Sequence, residues 1–445
     1  MHGPDRIIAK NIEFTDEEAN VLLMRFRNQM AEFFPFVIIS PSLNAQDLKC
    51  SRPFLLKAIC AVASVIPNHR LSLGKWIVEH LAERMAVDLD RNLDLLLGAL
   101  TYAGCLCMAL IFDLGLNKPI QKATHKTVFE QVLARPIRPG FAYRELPVEV
   151  DVERTLEERR AFLGVFFTLS SASKFFRAHV EPPRITPYVY ECLEILEKTQ
   201  DQPTDTSATF MIRLQLIVER ISQGPWNTEY GTPEAQSSGP PLRLYIKSLQ
   251  EQLHNFRSAM RTDVSLQGYM QYYNAEEALC EIGMSRGSVL GDLSDHTFDR
   301  MENLYDCLRS TRRFWETFFC IPETRYAHFS TAMWMQISHS FVVLQALSTF
   351  DHPDWHLPSI RQEIDFMDVL EKLIERINKT ENQIFAKAAI KMTSIKTHIQ
   401  EQLAVEARNS RHDSLTGQDA DFGRPWEPID FLDNDFFGDI MGMEF

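Results

Sequence analysis

Apolar residues recur every three or four positions along most of this sequence, and alternating apolar and polar runs are nearly absent. That spacing places apolar side chains on one face of an α-helix, as from Leu242 to Met260 and from Ile360 to Ile377. The only short run rich in β-branched residues, residues 34–40, has no neighbouring run that could pair with it as a hairpin. The pattern therefore predicts an all-α chain built around one large multi-helix domain.

Helix start signals support this prediction. Three segments carry the capping-box sequence, in which a hydroxyl group and an acid or amide three residues later each bind a free backbone N–H: Thr15 with Glu18, Thr155 with Glu158, and Ser359 with Gln362. Proline also suits the first turn of a helix, because the N–H that it lacks would have no partner there. We therefore predict further helices that begin at Pro53 and Pro187.

The charge and the cysteines exclude several classes of protein. The chain has 445 residues with 46 Lys and Arg against 60 Asp and Glu, and its net charge of −14 argues against a basic nucleic-acid binder. The eight cysteines form no CxxC pair, which favours reduced thiols over a zinc knuckle or a disulfide framework. The first residues do not resemble a signal peptide, so we expect an intracellular protein.

Residues 95–112 are the one stretch that is long and uncharged enough to suggest a membrane span. Two glycines and two cysteines dilute its hydropathy, and Asp94 and Asp113 flank it where Lys or Arg would favour a span. We expect a buried core helix and no membrane segment.

Motifs for catalysis are absent, since the sequence contains no GxSxG, GxxxxGK[ST] or HExxH and no GxGxxG after a strand. We therefore predict no catalytic, cofactor-binding or metal-binding residues. Among Asp88, Asp90 and Asp94, the last two could share one helix face and hold Mg²⁺ with a diphosphate. An all-α enzyme acting on a prenyl diphosphate or another apolar substrate remains an alternative, although a solvated helix face is the simpler interpretation.

Three other groups of polar residues favour structural roles. The loop from His352 to His356 brings two imidazoles and a carboxylate together without a fourth ligand, so we expect a surface loop. A basic group next to Phe314 and Trp315 is interpreted as a solvated helix face: Arg309, Arg312 and Arg313. Isolated histidines are more often core or surface residues than catalysts, and three stand alone: His125, His254 and His339.

The C-terminus differs in composition from the rest of the chain. Between Asp419 and Phe445 there are eight acidic residues and one basic residue, so this segment carries half of the net charge. Aromatic residues alternate with the acids, and this composition is typical of disordered activation segments. Their repulsion keeps the aromatics exposed for a hydrophobic groove on a coactivator. We expect four contact residues: Trp426, Phe431, Phe436 and Phe437. A frayed terminus or a strap on the protein's own surface remains open.

Several stretches together resemble one family. The order and spacing of FFPFVII, SRPFLLKAICAVAS, NLDLLLGALTY, DLGLNKP, ERRAFLGVFFTLSSASKFF and RITPYVYECLEIL are similar to the middle homology region of fungal zinc binuclear cluster transcription factors. The resemblance spans residues 15–405 and rests mainly on apolar positions. The matched elements are Phe34-Pro35-Phe36, Arg52-Pro53-Phe54-Leu55, Asp113-Leu114-Gly115-Leu116, Glu158-Arg159-Arg160 and Leu169-Ser170-Ser171.

The resemblance implies a nuclear transcriptional regulator with a helical regulatory domain over residues 15–408, often dimeric, and an acidic activation tail over residues 409–445. Residues 1–14 would be a short lead, and loops are expected near residues 201–208 and 223–241. Family members sometimes respond to a small hydrophobic effector, and many control secondary-metabolite gene clusters. No cofactor is implied for this region.

One family feature is absent from this sequence. Family members carry an upstream basic module with six cysteines that holds two zinc ions and reads DNA, and no stretch here supplies it. We therefore do not expect direct DNA binding by these residues. Either the chain is a shortened product, or it pairs with a DNA-bound regulator as a homodimer or heterodimer. A further alternative is a partner that sequesters a related factor through the apolar stripe from Ile360 to Ile377, continuing toward Leu403.

Overall fold

The computed structural model describes residues 14–88, 90, 92–102, 154–175, 182–224, 242–260, 264–284, 297–350, 352, 354–380, 385–386 and 388–401. Within these ranges every regular element is helical, and no residue lies in a β-strand. The prediction of an all-α fold is confirmed. The β-branched run at residues 34–40 forms turns and an extended loop.

The N-terminal part of the described chain is helical. They are α1 (Asp16–Arg25), α2 (Ala45–Ser51), α3 (Pro53–Ala63), α4 (Pro67–Ala82), α5 (Leu93–Tyr102), α6 (Leu156–Phe175), α7 (Pro187–Thr199) and α8 (Asp205–Ser222). A π-helical turn follows α1 over Phe26–Met30, and another follows α4 over Glu83–Val87.

The C-terminal part continues in the same way. Its helices are α9 (Leu242–Ala259), α10 (Leu266–Cys280), α11 (Thr297–Cys320), α12 (Thr331–Ser348), α13 (Leu357–Glu363) and α14 (Phe366–Lys379). A 3-10 turn over Glu281–Met284 follows α10, and another over Glu323–His328 precedes α12. Residues 388–401, which follow α14, are also helical.

Two of the three predicted capping boxes are confirmed. Thr15 Oγ1 accepts a hydrogen bond from the N–H of Glu18 at 3.2 Å, and Glu18 accepts one from the N–H of Thr15 at 2.9 Å. Thr155 and Glu158 make the same pair of bonds at 3.1 and 2.8 Å, where α6 begins. The two prolines that were predicted to open helices are the first residues of α3 and α7.

The capping box predicted at Ser359 is wrong. Helix α13 begins at Leu357, so Ser359 lies inside the helix and His356 is its N-cap residue. Pro358 explains the difference, because a residue without an N–H fits the first helical turn and the helix begins before it. Ser359 Oγ instead shares a hydrogen bond of 2.8 Å with His356 Nδ1.

The apolar stripe from Ile360 to Ile377 is divided between two helices and is buried. Asp365 caps α14, because its side chain accepts hydrogen bonds from the N–H groups of Met367 at 2.7 Å and Asp368 at 3.1 Å. Ile360 and Ile377 are each 2% exposed and belong to the core. Between Ile360 and Ile377 the stripe is therefore not an exposed dimerisation surface, which removes one of the two observations that motivated the sequestering alternative. The other, the missing zinc module, is unaffected.

Two hydrophobic clusters form the core, and α6, α8 and α12 contribute to both. One cluster is drawn mainly from α1 to α8, and the other mainly from α8 to α14. Helix α6 places Leu163 in the first cluster and Ala172 in the second, while α8 places Met211 in the first and Leu214 in the second. Helix α12 places Ala332 in the first cluster and Met333 in the second, so these three helices join the halves of the described chain.

The Glu158-Arg159-Arg160 element of the family resemblance anchors α6 to its neighbours. Glu158 completes the cap, and Arg159 Nη1 lies 3.1 Å from Glu191 Oε1 on α7. Arg160 binds Asp205, the first residue of α8, through Nε at 2.7 Å. Each residue of this short element thus has a contact that positions a helix.

Helix α5 contains the first part of the uncharged stretch at residues 95–112. Its residues from Leu95 to Leu100 are buried against the N-terminal cluster. None of the helices in the described ranges is long and apolar enough to cross a membrane. Residues 103–112 lie outside the described ranges.

Other predicted features fall partly or wholly outside the described residues. The polar loop near residues 201–208 is a turn that ends at Thr204, since Asp205 already belongs to α8. The described part of the second loop ends at residue 224, and residues 225–241 lie outside the described ranges. So do residues 113–116, His125 and residues 402–445. The domain boundaries therefore stay predictions.

Candidate functional site

The four proposed contact residues of the tail lie outside the described residues. Trp426, Phe431, Phe436 and Phe437 therefore have no described position, and their role stays a prediction.

Asp90 and Asp94, the candidate pair for Mg²⁺, are engaged in separate contacts. Asp94 caps α3: its two carboxylate oxygens accept hydrogen bonds from the N–H groups of Phe54 at 3.1 Å and Leu55 at 2.8 Å. Burial raises the pKa of Asp94, and these two hydrogen bonds oppose that rise. Asp90 instead lies 2.7 Å from Arg84 Nη2. The pair therefore does not form a shared diphosphate site.

The basic group on α11 is paired with acids at the surface, as expected for a solvated helix face. Arg312 contacts Glu316 on the same helix at 2.8 Å and Glu363 on α13 at 2.6 Å. The neighbouring Phe314 and Trp315 point the other way and are at most 1% exposed. The guanidinium group of Arg312 on this face is therefore paired with two acids.

The loop that contains His352 and His356 is organised by a buried tryptophan. Trp355 is 3% exposed, and its Nε1–H donates a hydrogen bond to the carbonyl oxygen of Leu347 at 2.9 Å. His352 Nδ1 accepts a hydrogen bond from the N–H of Asp354 at 3.2 Å. Across the described ranges no three potential metal ligands are grouped together.

His339 is not isolated, which corrects the interpretation from sequence. It lies on α12, 9% exposed, with Nδ1 3.0 Å from Asn274 Nδ2 and Nε2 3.0 Å from Glu281 Oε2. Asn274 also donates to Glu277 Oε2 at 3.0 Å, and Lys174 donates to Asn274 Oδ1 at 2.9 Å. This Asn274 cluster joins α6, α10 and α12 through buried polar contacts.

A small cavity of about 20 Å³ lies beside the Asn274 cluster. The side-chain oxygens of Gln271 and Gln336 are buried there, and no described residue is their hydrogen-bond partner. A cavity of this size accepts a water molecule and not an organic ligand. We therefore assign the Asn274 cluster a structural role.

A larger cavity of about 60 Å³ lies where the two hydrophobic clusters meet, and we call it the Arg70 cavity. Its walls come from the turn after α1, from α3 to α6, and from the start of α12. The lining residues are Phe26, Met30, Phe34, Val62, Arg70, Leu100, Thr101, Tyr102, Thr168, His328, Phe329, Ser330, Thr331, Ala332 and Trp334. The cavity thus combines apolar and aromatic walls with a few polar groups.

Two nitrogen atoms in the wall of the Arg70 cavity have no hydrogen-bond partner among the described residues. They are Arg70 Nε and His328 Nδ1, and both are enclosed. Burial lowers the pKa of both groups, and for His328 the nearby Arg25 and Arg325 act in the same direction. None of the described residues that line the cavity is acidic. Arg70 Nε and His328 Nδ1 have almost no accessible surface, so a molecule in the cavity would not reach them in this arrangement.

The threonine hydroxyls of the cavity are used by their own helices. Thr101 Oγ1 donates to the carbonyl oxygen of Leu97 at 2.8 Å, and Thr168 Oγ1 donates to that of Gly164 at 2.9 Å. Other polar residues of the lining are Arg70, Tyr102 and His328. Sequence analysis missed these residues because they come from distant segments and form no local motif.

The fold is that of a large all-helical domain with an internal cavity. No solved structure matches the chain. Residues 323–444 match the family model ATEG07667_C, which is described as a C-terminal domain.

Three curated proteins are similar to most of the chain. The transcription factor opdL of Penicillium oxalicum is 30% identical over 82% of this chain and 66% of its own length. A transcription factor of Aspergillus terreus is 23% identical over 79% of this chain and 54% of its own length. The transcription factor himD of Aspergillus japonicus is 26% identical over 82% of this chain and 61% of its own length.

The chain is therefore a homologue, over most of its length, of fungal proteins that are named transcription factors. It spans 54 to 66% of the length of these three relatives.

Proposed function

We propose that this chain regulates transcription in a fungal nucleus through its helical domain and its acidic C-terminal tail. The observation that carries the proposal is its similarity to three proteins named transcription factors. Control of a secondary-metabolite gene cluster is a further part of the proposal, and it rests on the family resemblance alone. The names of the relatives also support a regulator over an enzyme, as do the separate contacts of Asp90 and Asp94.

The proposed activation tail acts through exposed aromatic residues held apart by acids. Trp426, Phe431, Phe436 and Phe437 would insert into an apolar groove on a coactivator, because mutual repulsion of the tail acids opposes their collapse. A few buried aromatics usually supply most of the binding free energy of such an interface. Substitution of these four residues should therefore remove most of the activation.

A reporter assay in a fungal cell tests this proposal. The full chain is fused to an unrelated DNA-binding domain and compared with a chain that ends after Gln418 and with a variant in which Trp426, Phe431, Phe436 and Phe437 are Ala. We expect strong transcription from the full chain and little from the other two fusions. The matched control changes Phe422 and Phe445 to Ala, two aromatics of the same tail outside the proposed contact set.

Two outcomes of the reporter assay would contradict parts of this proposal. If the full fusion is abundant in the nucleus and silent, the chain is not an activator. Equal loss of transcription in the control variant would show that the tail works through its overall composition and not through the four proposed contacts.

We also propose that the chain reaches DNA through pairing with itself or with a related regulator that carries a DNA-binding module. The motivation is that these residues contain no CxxC pair from which a zinc cluster could be built. Because the stripe on α13 and α14 is buried, the pairing surface must lie elsewhere. Co-precipitation of two differently tagged chains tests this pairing, and a strictly monomeric protein that captures no relative would refute it.

A further inference from the structure

Two adjacent residues, Phe33 and Phe34, pack into different halves of the core. Phe33 is 3% exposed and belongs to the C-terminal cluster, drawn mainly from α8 to α14, whereas Phe34 packs against the N-terminal cluster, drawn mainly from α1 to α8. Phe36 also belongs to the N-terminal cluster, and its ring centroid lies 5.6 Å from that of Phe167 on α6. The segment after α1 therefore contacts both clusters within a few residues.

Phe33 is held by contacts from distant parts of the chain. Its ring centroid lies 5.0 Å from that of Phe329, just before α12, and 5.0 Å from the guanidinium carbon of Arg325. Its carbonyl oxygen accepts a hydrogen bond from Gln267 Nε2 on α10 at 3.0 Å. Arg325 also forms an ion pair with Glu32. We call these five residues the Phe33 clamp.

The Phe33 clamp is easier to open than the other links between the clusters. Helices α6, α8 and α12 each place residues in both clusters, so separating the clusters there would disrupt a helix. The clamp instead joins a turn after α1 to the 3-10 turn at Glu323–His328. Its ion pair is at the surface, with Arg325 38% and Glu32 50% exposed, and such pairs add little stability.

The Arg70 cavity lies beside the clamp and reduces the packing there. Phe34, next to Phe33 in sequence, and Phe329 of the clamp both line this cavity. Atoms that face a void lack contacts on that side, so less packing is lost when they move. Local opening occurs in segments with few such contacts.

The π-helical turn at Phe26–Met30 gives the segment that carries Phe33 two possible positions. The N–H of Ala31 donates to the carbonyl oxygen of Phe26 at 3.0 Å, five residues back, where an α-helix would use the fourth. A return to α-helical hydrogen bonds would turn the chain that follows by about 100° about the helix axis. Phe33 would then leave its contacts with Arg325 and Phe329.

We propose that the Phe33 clamp opens and closes as one unit, with the turn at Phe26–Met30 π-helical in the closed state and α-helical in the open state. Opening releases one link between the two core clusters and changes how they pack. The opening stands on these contacts, whereas its use in controlling transcription rests on the function proposed above.

Amide hydrogen exchange of the purified full chain tests whether the two sides of the clamp open together. The N–H of Ala31 lies on one side, and the N–H of Phe329, which donates to the carbonyl oxygen of Tyr326 at 3.3 Å, lies on the other. A single opening frees both, so we expect their protection factors to agree within about threefold. Values that differ by more than about tenfold would show independent openings and overturn the proposal.

Variants locate the clamp. Phe33→Ala should speed exchange at Ala31 and Phe329 at least about tenfold, because the ring that links the two sides is gone. The matched control is Phe36→Ala, which removes a ring of the same size from the same segment but from the N-terminal cluster, so exchange at Phe329 should not change. If both variants speed exchange equally at the two sites, Phe33 is an ordinary core residue and the clamp is refuted.

Arg325→Gln tests the clamp without a cavity in the core, and so does not depend on whether Phe33→Ala folds. It removes the ion pair with Glu32 and the guanidinium group on the ring of Phe33. Exchange at Ala31 should become faster, although Ala31 lies far from Arg325 in sequence. Arg309→Gln is the control, since Arg309 is 66% exposed on α11 and also paired with an acid. Unchanged exchange at Ala31 in Arg325→Gln would contradict the coupling.

The reporter assay separates the clamp from the proposed function. A change in transcription with Arg325→Gln, at equal protein level and absent with Arg309→Gln, would support control by the clamp. Coupled exchange with unchanged transcription would support the clamp and reject its regulatory use. A silent parent fusion would reject the proposed function, while the exchange results would still decide the clamp.

Discussion

Arg160 and Asp205 form a buried ion pair that joins α6 to the start of α8. Arg160 Nε lies 2.7 Å from Asp205 Oδ1, and a second nitrogen of the same group lies 3.0 Å from Oδ2, so the pairing is bidentate. The Asp205 side chain is fully buried, and Asp205 also accepts a hydrogen bond from the N–H of Gln202 at 3.0 Å. The carboxylate thus fixes both the partner helix and its own preceding turn.

Asp205→Ala should destabilise the protein by about 3–5 kcal/mol, because it leaves the guanidinium group of Arg160 buried with its main partner removed. Urea unfolding of the full chain, followed by far-ultraviolet circular dichroism, measures this loss. Asp201→Ala is the matched control: Asp201 also contacts Arg160, at 2.9 Å, but its side chain is 45% exposed. We expect little change from the control, and equal losses in both variants would contradict the assigned role of Asp205.

Glu219 should make stability depend on pH. Burial raises the pKa of this carboxyl to about 7, although hydrogen bonds from Ser170 and Gln223 oppose the rise. Between the unfolded pKa near 4.5 and the folded value, the folded state holds more protons, so the free energy of unfolding falls as pH rises. The loss should be on the order of 3 kcal/mol between pH 4.5 and pH 8.

Glu219→Gln tests this pH dependence directly, because the amide cannot ionise. Urea unfolding of the variant and the parent at several pH values should give similar stability near pH 5 and a more stable variant at pH 8. If the difference in unfolding free energy between the two proteins does not change with pH, then Glu219 does not titrate in this range.

Gly164→Ala should destabilise the protein by about 1–3 kcal/mol through overpacking. A Cβ atom at Gly164 would lie 2.6 Å from the Cβ of Phe36, which is attached directly to the backbone and cannot turn away. Gly268→Ala is the matched control, because there the nearest atom, also at 2.6 Å, is a terminal methyl of Val264. Thermal unfolding should show the larger loss for Gly164→Ala, and the opposite order would refute this reasoning.

Local signals explain which parts of the fold were predictable from sequence. Thr15 and Glu18 are partners within one turn, and the proline that opens α3 acts through its own backbone, so neither needs knowledge of the rest of the chain. The division of the stripe after Ile360 was missed because periodicity does not show that Asp365 takes the N-cap position of a new helix. The preference of Asp365 for the N-cap position sets this helix boundary, although the apolar spacing of its neighbours continues across it.

The candidate site was not predictable, because its residues meet only after folding. Arg70 and His328 come from opposite parts of the chain, and neither lies in a motif. His339 seemed isolated for the same reason, since its partner Asn274 lies 65 positions away. The contact between His339 and Asn274 depends on the packing of α10 against α12, which apolar spacing alone does not specify.

Asp94 gives a prediction that also tests the enzymatic alternative. Asp94→Ala removes the acceptors for two N–H groups at the start of α3 and should lower the free energy of unfolding by about 1–2 kcal/mol. Asp94→Asn keeps one acceptor oxygen and should lose less, while Asp88→Ala, at an exposed position, is the control. Urea unfolding measures these changes.

Calorimetry with Mg²⁺ and diphosphate should give no binding heat for the parent protein. Heat that disappears in Asp94→Ala would instead restore the diphosphate site.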